Sequence, residues 1–175
     1  SEIKIKELIS LFDKKKFDEL LKLSNKLLDN FPKSILLQNI QGVVHTELKN
    51  YNLAKDLFIK VVKLNPKYTD GYYNLANIFS KLGEEDKAIE NYNKVIELEP
   101  DNYVAYMNRG WSKSNLGDDY AAISDYNKSI EINSNYALAY SNRGWSKNAI
   151  QDYKGAILDY DNAIKIDPKN PQSYM

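Results

Sequence analysis

The chain contains no cysteine, which excludes disulfides and thiolate chemistry. It has a single histidine, His45, and no His/Asp/Glu cluster with ligand spacing, so no metal centre is legible. Its glycines form no phosphate-cradling loop. The 24 basic and 24 acidic side chains cancel, and the bases make no continuous stripe. Nothing therefore steers the chain to nucleic acid or to an anionic membrane. No apolar run approaches the roughly 18–20 residues of a membrane helix. Ser1-Glu2-Ile3-Lys4-Ile5-Lys6 alternates charge with apolar residues and has no signal-peptide core. The default location is then cytoplasmic, with a leader removed by processing as the open alternative. No grouping resembles a catalytic centre. The expectation is a protein that is not an enzyme and uses no cofactor.

What is present is repetition. Ala105-Tyr106-Met107-Asn108-Arg109-Gly110-Trp111-Ser112-Lys113 returns as Ala139-Tyr140-Ser141-Asn142-Arg143-Gly144-Trp145-Ser146-Lys147, 34 residues on. Ala122-Ile123-Ser124-Asp125-Tyr126 returns as Ala156-Ile157-Leu158-Asp159-Tyr160 at the same offset. Pro32, Pro66, Pro100 and Pro168 keep this ruler, with Ser134 in the missing slot. A fixed period of this length means one helical or strand-based unit copied end to end. Five units follow, 1–34, 35–68, 69–102, 103–136 and 137–170, and 171–175 begins a sixth. The whole of 1–175 reads as one array. Charge is uneven along it: residues 35–68 hold five bases against two acids, and 69–102 three against eight. That step reads as solvated faces.

Each unit reads as two helices. In the third, Tyr72, Leu75, Ala76, Phe79 and Leu82 recur at spacings of three and four, an amphipathic first helix. Gly83 breaks it. Glu84, Glu85 and Asp86 place acids where the dipole of a second helix favours them, as do Asp118 and Asp119 one repeat on. Ala88, Ile89, Tyr92, Val95, Ile96 and Leu98 carry the second stripe, and Pro100 ends it. Connections of a few residues force the two helices antiparallel. Small residues recur at Gly42, Ala76, Gly110 and Gly144, and at Ala54, Ala88, Ala122 and Ala156. Rings recur at Phe58, Tyr92, Tyr126 and Tyr160. Glycine inside a helix costs about 1 kcal/mol relative to alanine, so close packing is the expected compensation.

This pattern resembles the tetratricopeptide repeat, over the whole chain. Tyr72, Leu75, Ala76, Phe79, Gly83, Ala88, Tyr92 and Pro100 follow that family's motif. The first unit departs most, with Leu8, Phe17, Leu20 and Pro32 but Ser24 where the others hold an aromatic. The resemblance implies an all-α fold: an α-solenoid of antiparallel helix pairs wound into a right-handed superhelix, first helices on the concave side. A stack of this kind normally needs a polar cap at each end. The chain stops inside a sixth first helix, which suggests either a fragment or an end covered by another copy.

Two sets of residues separate by face. Arg109 and Arg143 take the inward slot of Leu75, and Asp125 and Asp159 replace Asn91 in the same two repeats. Arriving together, they read as ion pairs within or between repeats, bidentate where geometry allows. His45, in the slot of Leu11 and Phe79, reads as a packing histidine. On the other face Asn74, Asn108 and Asn142 recur once per repeat. A turn further on come Asn77, Trp111 and Trp145, flanked by Tyr73, Met107 and Ser141. Carboxamides both donate and accept, and a ladder of them suits an extended peptide backbone. It resembles the asparagine ladder in the repeat arm of O-linked N-acetylglucosamine transferases. The alternative is that these asparagines bond backbone groups of the adjacent repeat. Tryptophan is enriched at binding hot spots, against which stands packing along the groove wall. A subfamily that clamps the C-terminal carboxylates of heat-shock chaperones also uses groove asparagines, which Asn77 and Asn108 match. Its basic places hold Tyr73, Leu138 and Asn142 here, so that specificity is rejected.

The function expected is a non-catalytic protein-protein interaction module. Its concave groove would bind an extended peptide or partner helix through Asn74, Asn77, Asn108, Trp111, Asn142, Trp145, Tyr73 and Met107. The alternatives are the substrate-recruiting arm of a larger enzyme, such as a glycosyl- or sulfotransferase, and a scaffold that self-associates through an uncapped C-terminal end.

Overall fold

A computed structural model describes residues 2–169, with side chains from Lys4 onward. The expected start of a sixth repeat, 171–175, lies outside the described residues. The fold is all-α. Ten helices run in order among the described residues: α1 Glu2–Asp13, α2 Phe17–Asn30, α3 Ile35–Glu47, α4 Tyr51–Leu64, α5 Thr69–Lys81, α6 Glu85–Leu98, α7 Tyr103–Asn115, α8 Asp119–Ile132, α9 Ala137–Ala149 and α10 Tyr153–Ile166. Each repeat supplies two of them, as the stripes require. The chain divides into two compact units, Ser1–Leu82 and Gly83–Met175. The first holds α1–α5, the second α6–α10.

The turn inside each repeat is one motif used five times. Lys15, Lys49, Gly83, Gly117 and Gln151 all have positive φ, at 53°, 59°, 74°, 85° and 66°. Each occupies the same place after a first helix. In the next residue the backbone N–H reaches back five positions: Lys16 to Leu11, Asn50 to His45, Asp118 to Lys113 and Asp152 to Lys147, at 2.8–3.0 Å. This satisfies carbonyls that the helix end leaves open. Gly83 and Gly117 adopt the left-handed conformation freely, whereas a side chain there meets its own backbone. Between repeats, Asn65, Asn133 and Asp167 each accept a backbone N–H two residues on. The turn at Asn133 forms before Ser134 as it forms before Pro66 and Pro168, so serine is accommodated in the proline slot.

Second-helix starts are capped by side chains where the residue allows it. Asp118 accepts from the Ala121 N–H and Asp152 from that of Gly155, both at 3.0 Å. Among first helices, Ser34 and Asn102 do the same.

The recurring glycines explain themselves through the recurring rings. A methyl group added at Gly42 would stand 2.5 Å from Cε1 of Phe58. The same atom at Gly110 would meet Tyr126 at 2.7 Å, and at Gly144 it would meet Tyr160 at 2.9 Å. In each case the ring of the second helix occupies the space against the first helix where a β-carbon would stand, so a side chain there would force it to shift. The first repeat reverses the sizes. Leu8 fills the glycine slot and is buried, while Ser24 fills the ring slot, also buried, and bonds Gln41 of α3 at 2.9 Å. Leu8, Leu20, Leu27, Leu37 and Val44 form one buried cluster in the first unit, and Met107, Ala122, Tyr126 and Ala139 form one in the second.

Candidate partner-binding site

The twin repeats each contain a five-residue polar network. Arg109 Nε donates to Asp125 Oδ2 at 2.8 Å and Nη2 to Oδ1 at 2.5 Å. Lys113 Nζ lies 2.8 Å from the same carboxylate. Arg109 Nη1 donates to Asn93 of the preceding repeat, and the guanidinium stacks over Tyr106, 5.4 Å from the ring centre. Arg143, Asp159, Lys147, Asn127 and Tyr140 repeat this arrangement one unit later. The bidentate fork joins two helices of one repeat. The connection between repeats is the asparagine, Asn93 or Asn127. The Asp125 and Asp159 side chains retain 6% and 2% of their surface, so each carboxylate is held by two cations out of water.

One consequence is electrostatic. Arg109 and Lys113 are the only charged residues of α7, and Arg143 and Lys147 the only ones of α9. All four turn toward a buried aspartate. A helix advances about 100° per residue, so a residue midway between Arg109 and Lys113 points away from both. That residue is Trp111, and Trp145 stands likewise between Arg143 and Lys147. The tryptophans are 44% and 53% exposed.

Each remaining candidate residue has a definite place. In the second unit, Asn142 Nδ2 lies 3.3 Å from Met107 Sδ, linking α9 to α7. Met107 is 4% exposed and packs with Ala122, Tyr126 and Ala139 beneath that contact. It supports the face from below. Asn108 is half-buried. In the first unit, Asn74 Nδ2 donates to Asn39 Oδ1 at 3.2 Å, so here too the ladder asparagine bonds a side chain of the preceding repeat. Tyr73 and Asn77 are half-buried on the same helix.

The first unit has a cavity of about 190 Å³ that the residue pattern had not singled out. Leu8, Ile9, Phe12, Asn39, Ile40 and Val43 line it. The signal was available: Ile9 and Val43 precede Asn77, Trp111 and Trp145 in one 34-residue slot, and Ile40 precedes Asn74 in another. Followed backward, the polar ladder becomes an apolar pocket.

Away from these faces, titratable groups are structural. Burial lowers the His45 pKa below its usual 6.5, as a packing histidine requires. Burial, followed by the charges of Asp119 and Asp125, raises the Tyr126 phenol. Asp119 accepts from the Ser114 hydroxyl at 2.7 Å. Glu85 is buried and accepts from Asn115 at 2.6 Å, a contact beyond the helix-dipole role expected of it. Among the described residues no helix is long and apolar enough to cross a membrane.

Family models described as tetratricopeptide repeat match residues 37–68, 69–102, 103–136 and 137–170. No curated protein sequence matches. Among solved structures, MamA residues 41-end from Desulfovibrio magneticus RS-1 is 15% identical, covering 97% of this chain and 96% of that one at a TM-score of 0.89. YrrB, described as a TPR protein with an unusual peptide-binding site, is 22% identical over 98% of this chain and 88% of its own, with a TM-score of 0.81. The first TPR of Spaghetti (RPAP3), solved bound to the HSP90 peptide SRMEEVD, is 30% identical over 61% of this chain and 84% of its own, TM-score 0.59. With four repeats in register matching the family's models, the chain belongs to the tetratricopeptide repeat family.

Proposed function

We propose that this chain is a non-catalytic interaction module that captures an extended peptide or partner helix on the face of its first helices. The observation that carries this reading is the exposure of Trp111 and Trp145, one repeat apart, on a face from which every charge of α7 and α9 has been withdrawn. A tryptophan that is half in water offers a large rigid anchor at small entropic cost, the usual basis of a hot spot. Asn142 and Asn108 add donors and acceptors beside the rings, with Met107 beneath. In the first unit, Asn74, Asn77 and Tyr73 lie on α5, and the apolar pocket offers a place for one side chain. YrrB and the Spaghetti repeat are similar folds with peptide sites, which favours a peptide partner. The acidic peptide of the latter is a poor guide to sequence, because Tyr73, Leu138 and Asn142 supply no cation here.

The test is affinity capture with mass spectrometry, using the Trp111→Ala/Trp145→Ala variant as control. Capture should vanish while helicity by circular dichroism is unchanged. Undiminished capture by the variant would sink this reading.

A second reading, self-association, is favoured by one observation. Tyr153, Ile157 and Leu158 of α10 are 57%, 60% and 63% exposed, although Ile123 in the slot of Ile157 is half-buried. Light scattering across a range of concentrations tests it, and a monomer throughout would exclude it.

A further inference from the structure

We propose that the partner of the second unit's tryptophan face is an uncharged, proline-rich segment in the polyproline II conformation. This rests on the reading above and names the chemistry of its ligand.

Charge is the first argument. Arg109 and Lys113 are committed to Asp125, and Arg143 and Lys147 to Asp159. The two helices therefore present only Trp, Asn, Ser and apolar side chains around Trp111 and Trp145. A charged ligand group laid against such a surface loses hydration and finds no counter-charge. A ligand without charges loses nothing of that kind.

Spacing is the second. The bond from Asn142 to Met107 shows α9 and α7 in direct contact, and packed helices lie about 8–10 Å apart. Polyproline II has three residues per turn with a rise of about 3.1 Å, so one turn covers about 9 Å. Successive turns would then set the same side of the ligand on Trp111 and on Trp145. A β-strand repeats its side at about 6.6–6.8 Å and an α-helix turns every 5.4 Å or so, and neither keeps step.

Hydrogen bonding is the third. Polyproline II has no internal hydrogen bonds, so its carbonyls remain open acceptors. The Asn142 side chain uses one N–H on Met107 and makes no other side-chain hydrogen bond among the described residues. Its second N–H is available to such a carbonyl. Aromatic-lined grooves are the usual docking place for proline-rich segments.

The experiment is calorimetric and tryptophan-fluorescence titration of the full chain with synthetic peptides of about twelve residues, roughly four turns. One is uncharged with proline at every third position. In a second, glutamate replaces the residues between prolines. In a third, lysine does. A fourth is uncharged and free of proline. A neutral β-linked glucose hexasaccharide is the fifth probe. The first peptide should bind at least about tenfold tighter than each of the others, and Trp145→Ala and Asn142→Ala should each weaken it by about tenfold or more. Circular dichroism checks that both variants fold. Equal binding of the charged peptides overturns the proposal. Trp145-dependent binding of the proline-free peptide at equal strength also overturns it, while the peptide-capture reading stands. Binding of the sugar alone, or of no probe together with no captured partner, ends both.

Discussion

Arg109 grips Asp125 with two parallel hydrogen bonds, and the cost of breaking that grip falls on a carboxylate and two cations that have lost water together. Removing one member of a buried pair typically costs about 3–5 kcal/mol. Asp125→Ala should therefore destabilise the protein by about that amount, read as a shift in the urea midpoint followed by circular dichroism. The third repeat shows how to do without the network, since it holds Leu75, Phe79 and Asn91 in the slots of Arg109, Lys113 and Asp125. The triple variant Arg109→Leu/Lys113→Phe/Asp125→Asn should recover most of the loss. If Asp125→Ala left the midpoint in place, the pair would contribute nothing.

The five positive-φ turn residues allow a gain of stability. Lys15, Lys49 and Gln151 hold a conformation that glycine holds at positions 83 and 117. A side chain in the left-handed region costs roughly 1–2 kcal/mol. Lys49→Gly and Gln151→Gly should each stabilise by about 1 kcal/mol, raising Tm by thermal melts, whereas Gly83→Ala and Gly117→Ala should lower it by a similar amount. Nothing lies within 4 Å of an added methyl at either glycine, so crowding cannot be the source of that loss.

His45 makes stability depend on pH in a stated direction. Its folded pKa lies below 6.5, so the unfolded chain takes up the proton first as pH falls. Stability is complete above about 6.5 and declines below it until the folded pKa is passed. His45→Phe, which copies Phe79 from the same slot, should remove this component. Urea midpoints at about pH 7.5 and about pH 5.5 should then differ less in the variant than in the parent. An unchanged difference would show that His45 plays no part in it.

Much of this fold was legible because period and slot are linear properties. The proline ruler, the two stripes and the Gly–ring pairing follow from spacing, and all five repeats yielded two helices. Arg109 with Asp125 was legible because two unusual residues changed together. Lys113 and Lys147 were not read into the network, although each stands four residues after its arginine on the same helix face. A lysine is so common on surfaces that its presence alone signals nothing. Met107 was read as a groove residue from its slot. It is 4% exposed and packs with Ala122, Tyr126 and Ala139, a degree of burial that slot number does not encode. The pairing of Asn74 with Asn39 belongs to the same class, since a carboxamide's partner depends on how closely two helices approach.

The tryptophans lend themselves to a direct optical check. Half exposed in the free protein, Trp111 and Trp145 should both be quenched by acrylamide. Replacing both with alanine should change stability by less than about 1 kcal/mol, as expected of surface positions. A loss of several kcal/mol would identify them as packing residues and remove them from the candidate site.

The asparagine joints have a further consequence. Arg143 reaches back to Asn127, and Arg109 reaches back to Asn93, the same residue 34 positions earlier. Every other partner of Arg143 lies inside its own repeat. Cutting out residues 103–136 would bring Arg143 to Asn93 and rebuild an identical joint. The second unit thus reuses one arginine–asparagine coupling at two successive junctions, and excising a whole repeat keeps the parts of that coupling in register while the Asn142–Met107 and Asn115–Glu85 contacts are lost.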